Sequence, residues 1–338
     1  MVTIKDIANR MGLHFTTVSK ALRDHPDISN ETKEKIAAVA EEMDYHPDSV
    51  AKSFKNRKSR TIGVIVPLIG NDFFASVISG IEEVIYDAGY TLMICQSNEN
   101  VDREALHVST MVSNQVAGVL IAVSKETTAA DHLNILQRRD IKLVFFDRFL
   151  EHVNASRVVV DDYKGAFTLV DHLVKTGHKK IAHFSGSKGL TVSKSRLHGY
   201  VDALKKHDIP IDDELIIYGG FRESYGVGSF QQLMSKNIKP DAIFCVNDVV
   251  AVGAYQAIKS HGFHIPRDIA VAGFGNNTIS SYLDPPLTTV KQSPHLIGKN
   301  AAQIIIKEIE QKNSEPKEKI LDTELFIRQS TQMAISKT

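Results

Sequence analysis

From residue 61 onward, short apolar runs rich in β-branched residues alternate with longer stretches that have helical periodicity. Strands that alternate with helices in this way form a mostly parallel sheet with right-handed crossovers. The predicted strands lie at residues 62–66, 91–95, 118–123, 142–146, 157–160, 180–184, 215–217, 242–246, 269–274 and 325–327. The predicted helices between them include residues 73–88, 104–115, 164–175, 195–207 and 249–260. These ten strands are too many for one small sheet and divide near Asp161, which predicts two similar α/β lobes.

The residues before this region follow a different pattern, with three short helical segments. Thr3 and Asp6 resemble a capping box at the start of the first helix, whose apolar residues recur on one face. Gly12 then supplies a tight turn, and a second helix follows at residues 15–23, with Val18 facing inward. Three short helices, of which the first two are joined by a glycine turn, form a helix-turn-helix module.

The second helix of such a module lies in the major groove of DNA, and its side chains reach the base edges. The side chains that point away from the predicted core are Phe15, Thr16, Thr17, Ser19, Lys20 and Arg23. The hydroxyl of Thr16 can bond either type of base, and the ammonium of Lys20 suits guanine. The same pattern also fits a three-helix bundle without a ligand, and the residues that follow decide between the two.

A short basic segment at residues 49–56 favours the DNA-binding alternative. Its apolar residues Val50, Ala51 and Phe54 share one helical face, which lysines flank. Because so short a helix is marginal alone in water, the segment suits ordering on DNA, with an apolar wedge in the minor groove. Residues 49–60 contain five basic residues and no acidic one, while the whole chain has 40 Lys and Arg against 40 Asp and Glu. A solvated linker is the alternative explanation of this charge.

Four motifs carry a family resemblance: Thr3-Ile4-Lys5-Asp6-Ile7-Ala8, Thr17-Val18-Ser19-Lys20-Ala21-Leu22, Tyr45-His46-Pro47 and Val50-Ala51-Lys52-Ser53-Phe54. They resemble the DNA-binding head and hinge helix of the LacI/GalR family of bacterial transcription regulators. The resemblance implies a homodimer whose paired heads read a palindromic operator in double-stranded DNA. The DNA contacts expected from the pattern and the resemblance are Thr3, Phe15, Thr16, Thr17, Ser19, Lys20, Arg23, Ser49, Val50, Ala51, Phe54, Lys55 and Arg57.

Three positions of the head and hinge depart from the pattern of the family. Phe54 stands where the family usually has Leu, His14 where Ser is common, and Arg23 where Asn is frequent. The operator sequence of a relative is therefore not transferable to this chain.

The resemblance covers essentially the whole chain and implies a small all-α helix-turn-helix domain followed by a two-lobed α/β domain. The two lobes are expected to be Rossmann-like parallel-sheet subdomains of the periplasmic-binding-protein type I architecture, between which the chain crosses three times. The expected boundaries are 1–46 for the head, 47–60 for the hinge helix and linker, 61–160 plus 291–323 for the N-lobe, and 161–290 plus 324–338 for the C-lobe.

A ligand cleft is expected between the lobes, because ligands of open α/β sheets bind outside the carboxyl ends of the strands. Aromatic rings that cover C–H faces, together with planar polar groups that bond hydroxyls, are what a sugar-like ligand requires. The predicted effector-binding residues are Asn71, Phe73, Phe74, Ser97, Asp147, Arg148, Arg196, Phe221, Asn247 and Asn276. In the family, the positions matching Phe74, Asp147, Arg196, Phe221 and Asn247 commonly touch the effector. The alternative for each is capping of a strand end or helix, or a surface loop.

The identity of the effector stays open at the level of sequence. Sugar- and purine-binding members usually carry Asp where this chain has Gly275, and Asn276 is a candidate replacement acceptor. Leu190 and Val192 stand where the purine repressor has polar ligand contacts, which argues against a purine corepressor. A phosphosugar, an atypical saccharide and a protein partner remain alternatives.

The sequence favours a transcription regulator over an enzyme, and the resemblance implies a repressor. Metal-ligand spacing, a P-loop and a G-x-S-x-G motif are missing, so we expect neither cofactor nor metal nor catalytic residues. A solute-binding protein of a transport system shares the two-lobed body but needs export, and no secretory signal is visible. Two distant cysteines, Cys95 and Cys245, and the lack of a long apolar run predict a cytoplasmic protein with no membrane partner.

Overall fold

The computed structural model describes residues 2–45, 59–311 and 315–332, and the chain divides into two compact units, Met1–Lys58 and Ser59–Thr338. The predicted helix at 49–56 lies outside the described residues, and so do six of the predicted DNA contacts. These are Ser49, Val50, Ala51, Phe54, Lys55 and Arg57.

The first unit contains the three predicted helices: α1 (Ile4–Met11), α2 (Phe15–Ala21) and α3 (Asn30–Glu42). The capping box of Thr3 and Asp6 is confirmed, and Gly12 ends α1 with a φ of 64°, in the left-handed region that glycine adopts without strain. Helix α2 ends two residues earlier than predicted, because the chain turns at Asp24, whose φ is 53°. The small core of this unit is formed by Ile7, Ala8, Val18, Ala21, Ile36 and Ala40.

The second unit alternates strands and helices, as the sequence predicts. Its strands are β1 (Thr61–Val66), β2 (Thr91–Gln96), β3 (Gly118–Ile121), β4 (Lys142–Phe146), β5 (Ser156–Val160), β6 (Ile181–Ser185), β7 (Ile216–Tyr218), β8 (Ala242–Cys245), β9 (Ala270–Gly275), β10 (Thr288–Lys291), β11 (Glu318–Leu321) and β12 (Glu324–Phe326). Its α-helices are α4 (Asp72–Asp87), α5 (Val101–Ser113), α6 (Asn134–Arg138), α7 (Asp162–Lys175), α8 (Thr191–Lys206), α9 (Glu223–Ser235), α10 (Asp248–Ser260) and α11 (Pro294–Glu310).

These strands form two six-stranded sheets, each the centre of one lobe. The order in lobe 1 is β11-β5-β4-β3-β1-β2, and the order in lobe 2 is β12-β10-β9-β8-β6-β7. Every described pair of neighbouring strands is parallel except β10 with β12. The predicted two-lobed parallel α/β fold is therefore confirmed.

The chain crosses between the lobes three times, after β5, after β10 and after β11. Helix α11 returns to lobe 1, where it packs on α4 so closely that a Cβ atom on Gly298 would lie 2.0 Å from the carbonyl oxygen of Val77. Within the described ranges, we find no helix with both the length and the apolar character needed to span a bilayer.

Candidate functional site

The first candidate surface is the outward face of α2 in the helical head. Val18 and Ala21 are buried in the head core, whereas Thr16, Lys20 and Arg23 are exposed on the opposite side. Phe15, at the start of the same helix, is 46% exposed. Thr17 and Ser19 are half-buried at the edge of this face.

The amino end of α2 is organised by His14, which caps the helix. Its Nδ1 accepts a hydrogen bond from the backbone N–H of Thr16 at 3.4 Å, and the Thr16 hydroxyl lies 2.8 Å from the same nitrogen. The ring of His14 also contacts that of Phe15, with 4.6 Å between the centroids. His14 thus caps α2 through its side chain and orders the first turn of the helix.

Two of the other predicted contacts are engaged in local bonds. The Thr3 hydroxyl lies 2.7 Å from the carboxylate of Asp6 in the capping box. The Lys20 ammonium donates to Asp27 at 2.8 Å and holds the pKa of that carboxylate below its usual value. Arg23 has no ion-pair partner among the described residues, so its charge is available to a polyanion.

The second candidate site is a cleft between the carboxyl ends of the strands of the two lobes. The cleft contains a cavity of about 40 Å³, which we call the inner cavity, and a pocket of about 630 Å³, which we call the outer pocket. The two share five lining residues: Asn71, Phe74, Arg148, Phe221 and Asn277. The complete lining of the inner cavity is Asn71, Phe73, Phe74, Asp147, Arg148, Val192, Arg196, Phe221, Phe274, Gly275, Asn247, Asn277 and Gln292. Eight of the ten predicted effector-binding residues are therefore brought together.

On the lobe 2 side of the cavity, Arg196 of α8 is buried and held on several sides. Its Nε donates to Oδ1 of Asp162 at 2.8 Å, and its Nη2 lies 2.7 Å from the same oxygen in an ion pair. Its Nη1 donates to the carbonyl of Val246 at 2.6 Å. Its guanidinium carbon lies 3.8 Å from the centroid of the Phe274 ring.

Asp147 contributes a buried carboxylate from the loop after β4. It accepts no hydrogen bond from the described residues, and its nearest cation is Nε of Arg148 at 3.6 Å. Burial raises the pKa of Asp147 to about 6, against the opposing effect of the adjacent Arg148. Its φ of 59° is in the strained left-handed region, which indicates that the surrounding structure holds this carboxylate in place.

Arg148 is the neighbouring group and is equally buried. Its Nη1 lies 2.9 Å from both carboxylate oxygens of Glu99, and its guanidinium carbon lies 4.7 Å from the ring centroid of Phe221 and 5.7 Å from that of Phe74. Its Nε is buried without a hydrogen-bond partner in the part of the chain that the structure describes. Glu99 was not predicted as a site residue, because its partner is 49 residues away in sequence.

Two predicted asparagines have structural duties as helix caps. Oδ1 of Asn71 accepts from the N–H of Phe73 at 2.9 Å at the start of α4. Oδ1 of Asn247 accepts from Val250 at 2.8 Å at the start of α10, while its amide donates to the carbonyl of Phe221 at 3.1 Å. The capping alternative therefore applies to both, and each still lines the cavity.

Two predicted residues lie away from the cavity. Ser97 is buried behind the end of β2, and its hydroxyl has no partner within the described ranges. The side-chain oxygen of Asn276 accepts from Nη2 of Arg328 at 2.8 Å, so its acceptor is already used. Its neighbour Asn277 lines the cavity instead, because its N–H is anchored 2.7 Å from the buried carboxylate of Asp248.

Five residues of the lining are not among the predicted effector-binding residues: Val192, Phe274, Gly275, Asn277 and Gln292. Gln292 directly follows β10, a strand that was not predicted. The rule that ligands bind at the carboxyl ends of strands could therefore not point to Gln292. Its amide nitrogen is buried without a partner among the residues described and is a candidate ligand donor. Val192 and Leu190 pack into the apolar core cluster of lobe 1 although both belong to lobe 2, so they close the seam between the lobes.

Both candidate sites lie in regions that are similar to known proteins. Residues 3–48 match the family described as bacterial regulatory proteins, lacI family, and residues 170–331 match the periplasmic binding protein-like domain. The HTH-type transcriptional repressor PurR of Photobacterium profundum is 32% identical over 331 residues, which cover 98% of each chain. The ribose operon repressor of Haemophilus influenzae is 31% identical over 330 residues, again 98% of each chain. The lac repressor dimer bound to operator and the anti-inducer ONPF shares the fold, with a TM-score of 0.84 at 24% identity over 98% of this chain and 99% of that one.

Proposed function

Because this chain belongs to the LacI family of bacterial regulatory proteins and is a DNA-binding transcriptional repressor with a small-molecule effector domain, we propose that its effector is an uncharged sugar-like molecule. We further propose that it acts in the cytoplasm as a homodimer on a palindromic operator. Effector binding in the cleft then changes the angle between the lobes and, through it, the separation of the two hinges. Such a ligand acts only by its difference in affinity between the DNA-competent and DNA-incompetent arrangements.

We assign the head to residues 1–46, the hinge to 47–60, and the two lobes to 61–160 plus 291–323 and to 161–290 plus 324–338. The membership of β11 in the sheet of lobe 1 and of β12 in that of lobe 2 supports the last two boundaries. In the head, the exposed face of α2 reads the bases, and in the hinge Lys55 and Arg57 contact the phosphates.

The uncharged class of effector follows from the charges of the cleft. Arg148 is paired with Glu99 and Arg196 with Asp162, while Asp147 adds a third carboxylate. These five groups sum to one negative charge when Asp147 is ionised, and both arginines are already neutralised by partners. A phosphate group entering this cavity would be repelled by its net negative charge. A neutral polyol carries no charge and would not be repelled.

The sugar assignment rests on one observation: among the described residues, a hydrogen-bond acceptor and a hydrogen-bond donor without partners lie beside aromatic rings. Among the described residues, the carboxylate of Asp147 accepts no hydrogen bond and the amide nitrogen of Gln292 donates none. Rings of Phe74 and Phe221 line the same cavity. A sugar offers hydroxyls to the first two groups and a C–H face to the rings, and the ribose operon repressor among the relatives is consistent with this class.

The test is thermal unfolding of the full-length chain with D-ribose, D-glucose and cellobiose, each compared with ribose 5-phosphate and glucose 6-phosphate. A ligand at about 100 times its Kd stabilises by about 2.7 kcal/mol, which raises the Tm of a protein of this size by several degrees. We expect a shift with an uncharged sugar and none with its phosphate. A shift with phosphosugars alone contradicts the proposed effector class.

A solute-binding protein of a transport system, the alternative considered from sequence, has no use for the head that matches at residues 3–48. Selection of operator sequences from a random DNA pool by the full-length chain distinguishes the two. The repressor assignment predicts a symmetric site, and a solute-binding protein enriches none.

A further inference from the structure

Arg148 connects the two lobes at the centre of the cleft. It follows β4 in lobe 1, yet its guanidinium lies over the ring of Phe221, which follows β7 in lobe 2, at 4.7 Å. A cation at this distance from a ring centroid is attracted to the ring face. The ring face that a ligand would need is therefore covered by a side chain of the opposite lobe.

Glu99 fixes Arg148 in this position. Both of its carboxylate oxygens lie 2.9 Å from Nη1, and one of them also accepts the backbone N–H of Lys125 at 2.9 Å. Glu99 thereby ties Arg148 to the loop after β3, where the carbonyl oxygen of Lys125 is the atom nearest to the position that a Cβ on Gly189 of lobe 2 would occupy. Arginine and glutamate are both almost fully buried, which makes the pair resistant to screening by salt.

The same position leaves Arg148 incompletely bonded. Its Nε is buried without a hydrogen-bond partner among the described residues, and the carboxylate of Asp147 at 3.6 Å is too distant for one. The inner cavity beneath it measures about 40 Å³, enough for one or two waters, whereas ligand pockets have on the order of 300–1,000 Å³. A ligand with hydroxyl groups satisfies both Nε and Asp147 only if the guanidinium moves away from Phe221.

We propose that Arg148, anchored by Glu99, is a latch between the lobes that covers Phe221 and that an effector must displace to enter the inner cavity. The displacement links occupancy of the cleft to the lobe angle, because the contact that it breaks joins lobe 1 to lobe 2. Glu99 is a positioning residue in this scheme, since it holds Arg148 against Phe221 and fixes it to the loop after β3. The inference rests on the proposed function only for the nature of the displacing ligand.

Arg157 provides a matched control within a single lobe. Nε of Arg157 lies 2.6 Å from a carboxylate oxygen of Glu318, and its guanidinium carbon lies 4.4 Å from the ring centroid of Phe149. Arg157 therefore makes the same two kinds of contact as Arg148, an ion pair with Glu and a cation–ring contact with Phe. Arg157, Glu318 and Phe149 all belong to lobe 1. Replacing Arg157 by Met should leave the lobe contact unchanged.

The test uses tryptophan fluorescence, because the chain contains no natural Trp. Phe221→Trp in the full-length chain places one fluorophore under Arg148, and acrylamide quenching reports access to its ring. We expect quenching to rise when Arg148→Met or Glu99→Gln is added, and to stay constant when Arg157→Met is added. Equal quenching with and without Arg148 overturns the latch.

A second measurement keeps the native ring. Hydrogen exchange of the backbone amides at residues 219–224 should be roughly tenfold faster in Arg148→Met than in the wild type, as expected when a closing contact is lost. The double variant Glu99→Gln/Arg148→Met, which removes the charge of Glu99 together with that of its partner Arg148, should show the same acceleration, whereas unchanged exchange in the double variant contradicts the proposal.

Titration of the Phe221→Trp chain with D-ribose, D-glucose, cellobiose and ribose 5-phosphate separates this inference from the proposed function. If none of the three uncharged sugars alters the fluorescence with or without Arg148, the assigned effector class fails, and the quenching and exchange results still decide the latch.

Discussion

The ammonium nitrogen of Lys20 lies 2.8 Å from a carboxylate oxygen of Asp27, and both side chains are exposed. Lys20 is proposed to contact a base, and in the free protein its ammonium is instead paired with the carboxylate of Asp27. Because exposed ion pairs stabilise only weakly, a base edge in the groove can replace Asp27 as the partner of Lys20.

Lys20→Ala should lower discrimination between the selected half-site and scrambled DNA by about tenfold or more, because a base contact is lost. Lys33→Ala is the matched control, since Lys33 is also ion-paired in the head, to Asp24 at 2.6 Å, but belongs to α3. Competition binding at fixed salt measures both variants. Equal loss of affinity for specific and scrambled DNA in Lys20→Ala contradicts the assignment of α2 as the reading helix.

Asp162→Asn should destabilise the chain strongly, because it leaves Arg196 buried without its charge partner. Removing one member of a buried ion pair costs on the order of 3–5 kcal/mol. Asp322→Asn removes an exposed partner of Lys164 at 3.5 Å and should cost less than about 1 kcal/mol. Urea unfolding of both variants gives the comparison, and similar free energies of unfolding would show that the Asp162–Arg196 pair is not a structural anchor of the cleft.

The raised pKa of Asp147 predicts a pH dependence of stability. Burial raises this pKa from 3.8 to about 6, so the folded chain keeps the proton longer than the unfolded chain does. The resulting stability is fully present below about pH 4 and is lost as pH rises through 6, a change of roughly 3 kcal/mol.

Asp147→Asn should therefore flatten this part of the pH profile, measured by urea unfolding between pH 4 and 7. Asp322→Asn, which changes an exposed carboxylate, should leave the profile as in the wild type. An unaltered slope in Asp147→Asn means that the carboxylate is solvated and not buried in the cleft.

Leu190→Ala should destabilise the seam between the lobes, because Leu190 of lobe 2 is buried in the core cluster of lobe 1. Loss of a buried leucine costs about 2–5 kcal/mol. Leu296→Ala is the control, since Leu296 is 47% exposed. If the two variants unfold at the same urea concentration, Leu190 is not packed between the lobes in solution.

Much of the architecture is predictable from the sequence because its signals are local. The ten predicted strands are all present with shifts of one or two residues at their ends, since each is an apolar run between helices. Strands β10 and β11 were not predicted, because Thr288–Lys291 and Glu318–Leu321 contain too few apolar residues to stand out.

The cleft was predictable where it depends on strand ends, and not where it depends on long-range pairing. Asp147 and Phe221 follow from the rule that ligands meet the carboxyl ends of strands. Arg196 lies inside α8 and was predicted from the family resemblance. Glu99 and Arg148 are far apart in sequence and are brought together by the fold of lobe 1. Leu190 packs into the core of lobe 1 because the two lobes lie against each other. Periodicity and motif spacing carry no information about such contacts.

The two heads of the dimer are proposed to bind a symmetric DNA site under the control of the cleft. Binding of the full-length chain to a selected palindrome and to its scrambled competitor tests this at several salt concentrations, with and without the sugar that raises the Tm. We expect a salt-sensitive preference for the palindrome of about a thousandfold or more, which the sugar changes. Equal affinity for both DNAs under every condition would contradict it.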